Sequence, residues 1–345
     1  MPSTSISSNN TKNKPFHPSD ALFHLAGAQA LFVGHRLGLF EMLGSEKRTL
    51  EQIATQLNFS DRSAQALLSM CSAMAILTLG PDNRYGLTPE ASTYLLRSSP
   101  DYYGGILDQG WAVDEIFSFK SFLRALETNT PQIYGGNDLF QSNEQEKKLT
   151  RTFTRTMHCK SIAAAKRWPL TIDLSRYSTL LDIGGGSGAH AIGATLHWPH
   201  LRCLIFERPL VCEVAQEYIE HYSLKGKIDT FEGDMWQDSF PQADLHFYSD
   251  IFHDWDLKKC IFLAEKSFAS LPKGGRIILH EMTFNDSKTG PYNTAAYNVQ
   301  MLLCTEGQQF SNRELMELLE KVGFSDLAAL PSGHGDWHLI TGEKN

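Results

Sequence analysis

The chain has 345 residues, of which 42% are hydrophobic and 20% are charged. These values are ordinary for a globular protein with a buried core, and the length is sufficient for two domains. The formal charge of -8 argues against nucleic acid as a partner, because proteins that bind it usually carry a basic face. No apolar run reaches the length of about 18 residues that a membrane-spanning helix needs.

The cysteines and the amino-terminal segment indicate the cellular setting. The six cysteines are scattered without a C-x-x-C pair, a spacing that favours reduced thiols over a disulfide framework or a zinc site. Residues 1–13 are rich in Ser, Thr and Asn and lack the apolar stretch of a signal peptide. We therefore expect a disordered tail over 1–17, a cytoplasmic location and no membrane partner.

The segment after this tail is predicted to form a winged helix. Apolar residues recur at helical spacing over Ala21–Leu43, and Gly38 interrupts this pattern without making the segment a loop. Thr49 and Ser60 are suitable caps for two further helices. A Gly-Pro-Asp-Asn turn at 80–83 then separates two short apolar segments, which predicts a hairpin.

Three helices and a hairpin over 18–105 admit two interpretations. A winged helix can bind DNA, but the candidate recognition helix, Asp61–Ala75, offers only Arg62 as a cation that could read bases. The other interpretation is a dimerisation module, which agrees with the long apolar helix at its start. We therefore favour a homodimer formed through 18–105, with a DNA-binding regulator as the alternative.

Residues 106–170 are predicted to form a helical linker that lines the substrate site. Helical patterns cover Ala112–Leu126 and Glu144–Trp168. The loop between them includes residues 130–136.

Residues 171–345 are predicted to form an α/β domain, because apolar segments typical of strands alternate with helical patterns. The strand-like segments are 179–182, 202–206, 228–231, 245–248 and 276–280, and the helical segments are 189–197, 209–221 and 256–270. Two last segments, 327–330 and 338–341, flank a Pro-Ser-Gly-His-Gly turn and predict an antiparallel hairpin at the sheet edge. The predicted fold class is a Rossmann-like, mostly parallel sheet preceded by a helical domain.

A glycine-rich loop, Asp182-Ile183-Gly184-Gly185-Gly186-Ser187-Gly188, follows the first predicted strand and opens a helix. In this context glycines let the backbone approach a nucleotide-like ligand at a helix N-terminus. The same loop also satisfies the G-x-G-x-x-G/A pattern of a dinucleotide site. Glu207, at the end of the second strand, suits the ribose of either cofactor. The loop alone therefore leaves the cofactor open.

Later features favour S-adenosylmethionine (SAM) over a dinucleotide. Asp182 can meet the ammonium group of a methionine moiety, which a dinucleotide lacks. Gly233-Asp234-Met235-Trp236 follows the third strand, where an acid can bond an adenine amino group and an apolar side chain can cover the ring. His253-Asp254-Trp255 follows the fourth strand. Since these features end four successive strands, we expect a SAM site at this edge of the sheet.

With these motifs the chain resembles the class I O-methyltransferases, the group that contains the caffeic acid and hydroxyindole (acetylserotonin) O-methyltransferases. The likeness covers about 18–343, and its most specific pieces are Leu181–Gly188, Gly233–Met235, Phe252–Asp256 and Leu271–Gly275. The resemblance implies that SAM is the cofactor and that the winged helix interlocks two subunits and helps to close each substrate pocket.

The resemblance also implies roles for individual residues. His253 would be the general base and Glu281 the first acid that orients it, while Gln309 takes the place of the second acid. Base activation would then depend on Glu281 or on the nearby Glu306. The expected cofactor residues are Asp182, Gly184, Gly185, Gly186, Gly188, Glu207, Arg208, Gly233, Asp234, Met235, Trp236, Ser249 and Asp250; Ser249 stands where plant members have a lysine.

The expected acceptor is a small, flat molecule, because the candidate pocket is largely apolar and aromatic. Its predicted residues are Trp111, Phe153, Met157, His158, Phe252, Asp254, Asn298, Met301 and Leu302. We expect transfer of a methyl group to an aromatic or enolic hydroxyl. The same fold also admits carbon or nitrogen methylation, or a repurposed SAM-binding enzyme. No metal is expected, because His253, Asp254 and Asn298 would make a poor Mg²⁺ site.

Overall fold

A computed structural model describes residues 17–132 and 144–345. The chain divides into two compact units, Met1–Asp108 and Gln109–Asn345. The predicted tail, apart from its last residue, and residues 133–136 of the predicted loop lie outside the described residues. Within the described ranges, no helix combines the length and the apolarity needed to cross a membrane.

The first part of the chain contains helices and one small hairpin. The elements are α1 (Pro18–Arg36), α2 (Leu39–Ser45), α3 (Leu50–Leu57), α4 (Asp61–Ala73), β1 (Leu77–Leu79), β2 (Tyr85–Leu87), α5 (Pro89–Leu95) and α6 (Gly104–Ala112). β1 and β2 pair antiparallel, with Leu77 opposite Leu87. A core of apolar side chains from α1 to α5 and both strands holds this part together.

Local sequence signals place most of these elements. The Thr49 hydroxyl accepts a hydrogen bond from the Gln52 N–H and the Gln52 side chain accepts one from the Thr49 N–H, which completes a capping box at α3. Ser60 caps α4 through the Ser63 N–H. The predicted continuous pattern over Ala21–Leu43 is wrong in one respect. The chain leaves the helix at Gly38, where φ is +71°, and this left-handed conformation ends one helix and begins another.

The described residues of the second unit form helices, a seven-stranded sheet and two short 3₁₀ turns. Its helices are α7 (Phe119–Thr128), α8 (Glu144–Ala165), α9 (Ala189–His197), α10 (Pro209–His221), α11 (Leu257–Ser270), α12 (Tyr292–Cys304) and α13 (Asn312–Val322). Its strands are β3 (Thr179–Ile183), β4 (Arg202–Glu207), β5 (Ile228–Glu232), β6 (Leu245–Ser249), β7 (Arg276–Met282), β8 (Ser325–Pro331) and β9 (Trp337–Glu343). The 3₁₀ turns are Trp168–Leu170 and Phe252–Asp254.

The strand order is β5-β4-β3-β6-β7-β9-β8. The first five strands are parallel, whereas β9 pairs antiparallel with both β7 and β8. The order reverses direction between β3 and β6, and open α/β sheets bind ligands at the carboxyl ends of the strands beside such a point. This topology confirms the predicted mostly parallel sheet with an antiparallel carboxyl-terminal hairpin.

Helices cover both faces of the sheet. Apolar side chains of α9 and α10 pack on one face, and those of α11 and α13 pack on the other. Trp168 is fully buried and stacks on Phe247 of β6 with ring centroids 4.5 Å apart. These two cores fix the strand ends that carry the predicted site.

The predicted helices of this unit differ from the structure in two ways. The predicted helix Ala112–Leu126 is wrong over 113–118, because turns replace helix there and Ser118 caps a new helix, α7. The sequence reading also omitted α12 and α13. The second of these begins with a capping box in which the side chains of Ser311 and Glu314 each accept a hydrogen bond from the other's backbone N–H, a signal that is visible in the sequence.

Candidate active site

The glycine loop connects β3 to α9 at the carboxyl edge of the sheet. Gly184, Gly186 and Gly188 have φ values of +67°, +56° and +76°, which residues other than glycine rarely adopt. A side chain on Gly185 would begin 2.6 Å from the carboxyl carbon of Asp182, whereas one on Gly186 would meet nothing within 4 Å. The loop is therefore tightly seated on Asp182 and open beside Gly186.

Asp182 lies under this loop and is almost fully buried. Its Oδ2 accepts a hydrogen bond from the Ala191 N–H over 3.2 Å, and Oδ1 has no hydrogen-bond partner among the described residues. Burial raises the pKa of Asp182 to about 7. A buried acceptor without a donor is costly, so this carboxylate is suited to a cationic ligand group.

Glu207 ends β4 beside the same loop. Its Oε1 accepts the Gly186 N–H over 3.2 Å and its Oε2 accepts the Arg208 N–H over 2.8 Å. Burial raises the pKa of Glu207, although these two backbone donors oppose the shift. The carboxylate is thus held against the open side of the glycine loop, where it can bond hydroxyl groups.

His158 of α8 supports the glycine loop from its other side. Its Nδ1 lies 2.8 Å from the Ser187 hydroxyl, and its ring stacks on Tyr218 of α10 with centroids 3.6 Å apart. Burial lowers the pKa of His158 to about 3, so the ring is neutral near pH 7. The predicted role of His158 in contacting the substrate finds no support in this position, because its ring is engaged with the loop and α10.

The segment after β5 forms a compact turn. The Asp234 Oδ1 accepts the Trp236 N–H over 2.9 Å, so its carboxylate caps this turn. Gly233 donates its N–H to the Glu207 carbonyl, and Met235 and Trp236 pack against the core. The Trp236 ring contacts Trp255 edge-on, with centroids 4.8 Å apart. The Asp234 side chain thus has a structural role in addition to the predicted contact with adenine.

These residues fit SAM as the ligand of the loop. The buried, unpartnered oxygen of Asp182 suits the ammonium group of the methionine moiety. Glu207 suits the ribose hydroxyls, and the space beside Gly186 leaves the backbone accessible. The predicted set thus meets at one edge of the sheet, formed by the ends of β3, β4 and β5.

His253 lies in the 3₁₀ turn after β6 and is almost fully buried. Its Nδ1 lies 3.0 Å from the Gln309 Nε2 and 3.3 Å from the Glu281 Oε2, while its Nε2 lies 3.5 Å from the Asp254 Oδ1. Burial lowers the pKa of His253 to about 4. The imidazole is therefore neutral near pH 7 and able to accept a proton.

Glu281 and Gln309 hold this ring in place. The Glu281 Oε1 accepts the N–H groups of Ile251 and Phe252, over 3.1 Å and 2.9 Å. The Gln309 backbone N–H donates to the Asn298 Oδ1 of α12 over 2.8 Å. The Gln309 amide can present either its nitrogen or, after a half-turn, its oxygen to Nδ1, so it fits both neutral tautomers of His253.

The sequence reading missed a second polar group behind His253. Lys160 of α8 places its Nζ 2.8 Å from the Asp250 Oδ2 and hydrogen-bonds the Tyr297 hydroxyl. Trp337 of β9 donates its indole N–H to the Asp250 Oδ1 over 3.3 Å. The Tyr297 ring packs edge-on against His253, with centroids 5.1 Å apart. The signal for Lys160 was a single lysine in the last, mostly apolar turns of α8.

Several predicted site residues lie elsewhere or have other partners. Phe252 is fully buried and contacts Tyr248, so it belongs to the core. The Ser249 hydroxyl lies 2.8 Å from His280 on the neighbouring strand. Glu306 pairs with Lys259 at 2.6 Å, and both side chains are exposed. Glu306 therefore does not orient His253.

The remaining predicted substrate residues are spread over three helices. Trp111 on α6 is exposed, Phe153 and Met157 on α8 are half-buried, and Met301 is buried while Leu302 is half-buried on α12. Asp254 lies directly beside His253, and Asn298 is connected to it through Gln309. The chain therefore brings the predicted catalytic residues together, and the acceptor pocket stays a prediction.

Comparisons with known proteins agree with this geometry. The model of the O-methyltransferase domain matches residues 120–325, and the model of the O-methyltransferase dimerisation domain matches residues 19–97. The first match alone covers more than half of the chain. The second falls on the helices and hairpin of the first unit.

Similar proteins include O-methyltransferases of known activity. The 3-hydroxy-5-methyl-1-naphthoate 3-O-methyltransferase of Streptomyces sahachiroi is 30% identical over 92% of this chain and 91% of its own length. The acetylserotonin O-methyltransferase of Bos taurus is 27% identical, over 92% and 94%. The crystal structure of human N-acetylserotonin methyltransferase in complex with SAM superposes with a TM-score of 0.84 at 25% identity, covering all of both chains. The chain belongs to the O-methyltransferase family, carries its dimerisation domain, and is a SAM-dependent O-methyltransferase.

Proposed function

We propose that this enzyme methylates a hydroxyl group of a small aromatic or enolic molecule, with His253 as the general base. The observation that carries the proposal is the position of His253: a buried, neutral imidazole whose Nδ1 is hydrogen-bonded by Gln309 and lies 3.3 Å from Glu281, while its Nε2 lies beside Asp254. Nε2 can accept a hydroxyl proton in the neutral tautomer that carries its proton on Nδ1, where the Glu281 Oε2 or the amide oxygen of a turned Gln309 side chain accepts the Nδ1–H.

The cofactor residues would act at the glycine loop. When bound, SAM supplies an electrophilic methyl group on a sulfonium centre. Asp182 would pair with its ammonium group and Glu207 with its ribose hydroxyls, while Asp234, Met235 and Trp236 would surround the adenine. Arg208, Ser249 and Asp250 stay predicted contacts. Alignment of a nucleophile within about 3–3.5 Å of the reacting atom can account for up to about 7–11 kcal/mol of a barrier.

His253 would make the hydroxyl oxygen nucleophilic as transfer begins. The proton passes from the hydroxyl to Nε2, and the oxygen gains the electron density with which it attacks. Glu281 and Gln309 fix the ring through Nδ1, so that Nε2 keeps its direction. A base positioned in this way contributes about 10²–10⁴-fold to a rate.

An aromatic acceptor is supported by the side chains predicted around the site and by the relatives. Phe153, Met157, Met301 and Leu302 offer apolar surface suited to a flat ring. The names of the relatives specify a hydroxynaphthoate and acetylserotonin as acceptors. A fused-ring phenol is therefore the acceptor class to test first.

We also infer that the chain forms a homodimer. The dimerisation-domain match covers α1, whose side chains Leu22, Phe23 and Leu25 are exposed. Exposed apolar side chains that cluster on one helix favour association. Light scattering after size exclusion is expected to give twice the mass of one chain, and Phe23→Asp is expected to shift the protein towards monomer.

The acceptor proposal is tested with methyl-labelled SAM and a panel of acceptors. The panel holds 3-hydroxy-1-naphthoate, N-acetylserotonin and caffeic acid, each beside the analogue whose hydroxyl is already methylated. Label on the oxygen of at least one free phenol, and none on its methylated analogue, is the expected result. Label only on carbon or nitrogen would overturn the proposal.

A further inference from the structure

Three acids surround His253, and they differ in what holds them. Asp250 lies on the Nδ1 side at 3.9 Å, Glu281 lies on the same side at 3.3 Å, and Asp254 lies 3.5 Å from Nε2. Gln309 and Tyr297 complete the surroundings from the segment before α13 and from α12. The inference below rests on the proposed role of His253 as the base.

We propose that Asp250, held as an anion by Lys160, supplies the negative charge that stabilises protonated His253 during methyl transfer. Asp250 thereby takes over the role that the family resemblance gives to an acid at the position of Gln309. Asp250 acts through His253 and is a positioning residue. The proton itself moves only from the acceptor hydroxyl to Nε2 of His253.

Both oxygens of Asp250 are fixed by donors. Oδ2 accepts from the Lys160 ammonium over 2.8 Å, and Oδ1 accepts from the Trp337 indole over 3.3 Å. Oδ1 is also the atom that lies 3.9 Å from Nδ1 of His253. The ion pair is therefore a dipole whose negative oxygen faces the imidazole, while the ammonium group bonds the other oxygen.

The backbone conformation at residue 250 favours an Asp or Asn side chain. Its φ of +54° lies in the left-handed region, which Asp and Asn tolerate better than other residues with side chains. The strain turns the chain between β6 and the 3₁₀ turn that carries His253. The carboxylate is delivered next to the imidazole by the same turn.

Charge distinguishes Asp250 from Glu281. Burial by itself would raise the pKa of Asp250, but Lys160, and after it His253, lowers this pKa overall. Burial raises the pKa of Glu281, and within the described ranges no lysine or arginine lies at ion-pair distance from it. Asp250 is thus held as an anion by its lysine, whereas Glu281 has no such cation in the described part of the chain and orients the ring.

Lys160 and Tyr297 keep the anion in place. Burial opposes the charge on Lys160, and the attraction of Asp250 and Tyr297 raises its pKa in spite of this. The ammonium group also lies over the Tyr297 ring, 4.4 Å from its centroid. For His253 the attraction of Asp250 outweighs the repulsion by Lys160. The net effect of the pair therefore favours a protonated imidazole.

The test follows the titration of His253 by NMR in protein labelled with ¹³C-histidine, which needs no acceptor. The His253→Gln spectrum identifies its signal among the 13 histidines. Asp250→Asn is nearly isosteric, tolerates the positive φ and still accepts from Trp337. We expect it to lower the pKa of His253 by about 1 unit, because a nearby opposite charge typically shifts a pKa by about 1–3 units.

Lys160→Met leaves Asp250 without its cation, so burial raises the pKa of Asp250, and we expect the loss of its charge to lower the pKa of His253 as well. The double variant Lys160→Met/Asp250→Asn removes both charges and is expected to lower the pKa of His253 by less than Asp250→Asn, because the repulsion by Lys160 is lost as well. It also keeps the proposal testable if Asp250→Asn alone folds poorly. Glu281→Gln is the matched control and is expected to move the titration by less than about half a unit.

The kinetic readout uses whichever phenol of the acceptor panel is methylated. Asp250→Asn is expected to lower kcat by about 10–100-fold. Because this role replaces the predicted cofactor contact of Asp250, the affinity for S-adenosylhomocysteine is expected to stay unchanged. An unchanged titration of His253 in Asp250→Asn, or a larger shift in Glu281→Gln, would overturn the proposal. Loss of cofactor affinity with an unchanged titration would instead make Asp250 a cofactor ligand. If His253→Gln retained full turnover, the base assignment itself would fail.

Discussion

The side-chain amide nitrogen of Gln309 lies 3.0 Å from Nδ1 of His253. An amide holds the ring without adding charge, whereas an acid at the same position would stabilise its protonated form. The backbone of Gln309 is held in turn by Asn298, whose Oδ1 accepts the Gln309 N–H. Gln309 thus sets the direction of the imidazole while leaving its charge to other groups.

Two substitutions of Gln309 separate its effect on the orientation of the His253 ring from an effect on the charge of that ring. Gln309→Glu is expected to raise the pKa of His253, because a carboxylate 3 Å away favours the imidazolium ion. The acid limb of the kcat/KM profile would then move to higher pH. Gln309→Leu is expected to lower kcat by about tenfold, because the ring loses its partner. A Gln309→Leu enzyme with unchanged kcat would contradict the orienting role.

Gly185 is expected to tolerate no side chain. The Cβ of Gly185→Ala would lie 2.6 Å from the Asp182 carboxyl carbon, and we expect affinity for S-adenosylhomocysteine to fall at least tenfold by calorimetry. Gly226→Ala is the control, since φ is +83° there and the new Cβ meets nothing within 4 Å. It is expected to cost about 1 kcal/mol of stability and no affinity. Equal affinities in both variants would count against the seating of the loop on Asp182.

Binding of the cofactor product is expected to release a proton below neutral pH. Burial raises the pKa of free Asp182 to about 7, so much of this group is protonated at pH 6. An ammonium ligand favours the anion and lowers that pKa, so affinity weakens as the pH falls below 7. Calorimetry at pH 6 in two buffers of different ionisation enthalpy measures the released proton. Asp182→Asn is expected to abolish the release, and a release that persisted in it would assign the proton to another group.

His158 is expected to act on the cofactor through Ser187. His158→Phe keeps an aromatic ring on Tyr218 and removes the 2.8 Å hydrogen bond to the Ser187 hydroxyl. One hydrogen bond contributes about 1 kcal/mol, so affinity for S-adenosylhomocysteine should fall about fivefold. Ser187→Ala should cost as much, and the double variant no more than either. Additive losses would show that the two residues act independently.

Local patterns in the sequence were sufficient for most of the scaffold. The helices at 189–197 and 209–221 end at the predicted residues, because a glycine loop and an Arg-Pro step begin them and histidines end them. The glycine loop, Glu207 and His253 were placed correctly at strand ends, since parallel strands direct their carboxyl ends to one edge.

The contacts that join Asp250, Lys160 and Tyr297 could not be predicted from local sequence patterns. Lys160 is 90 residues from Asp250 and 137 residues from Tyr297 along the chain. Neither periodicity nor capping connects segments so far apart. The predicted substrate contacts of His158 and Phe252 stay predictions, because the spacing of residues does not distinguish a core face from a ligand face. The pairing of Glu306 with Lys259 is a surface contact between α11 and the segment after α12.

The central claim is that His253 removes the acceptor proton beside a SAM site built on the glycine loop. The direct measurement is made on His253→Gln. It compares the turnover of the phenol that the enzyme methylates, and the affinity for S-adenosylhomocysteine, with those of the unchanged enzyme. His246→Gln is the matched control, because His246 is also buried but bonds Ser267 in the core. We predict that His253→Gln loses about 10²–10⁴-fold in turnover with normal affinity, while His246→Gln keeps both. Turnover in His253→Gln equal to that of His246→Gln would contradict the account.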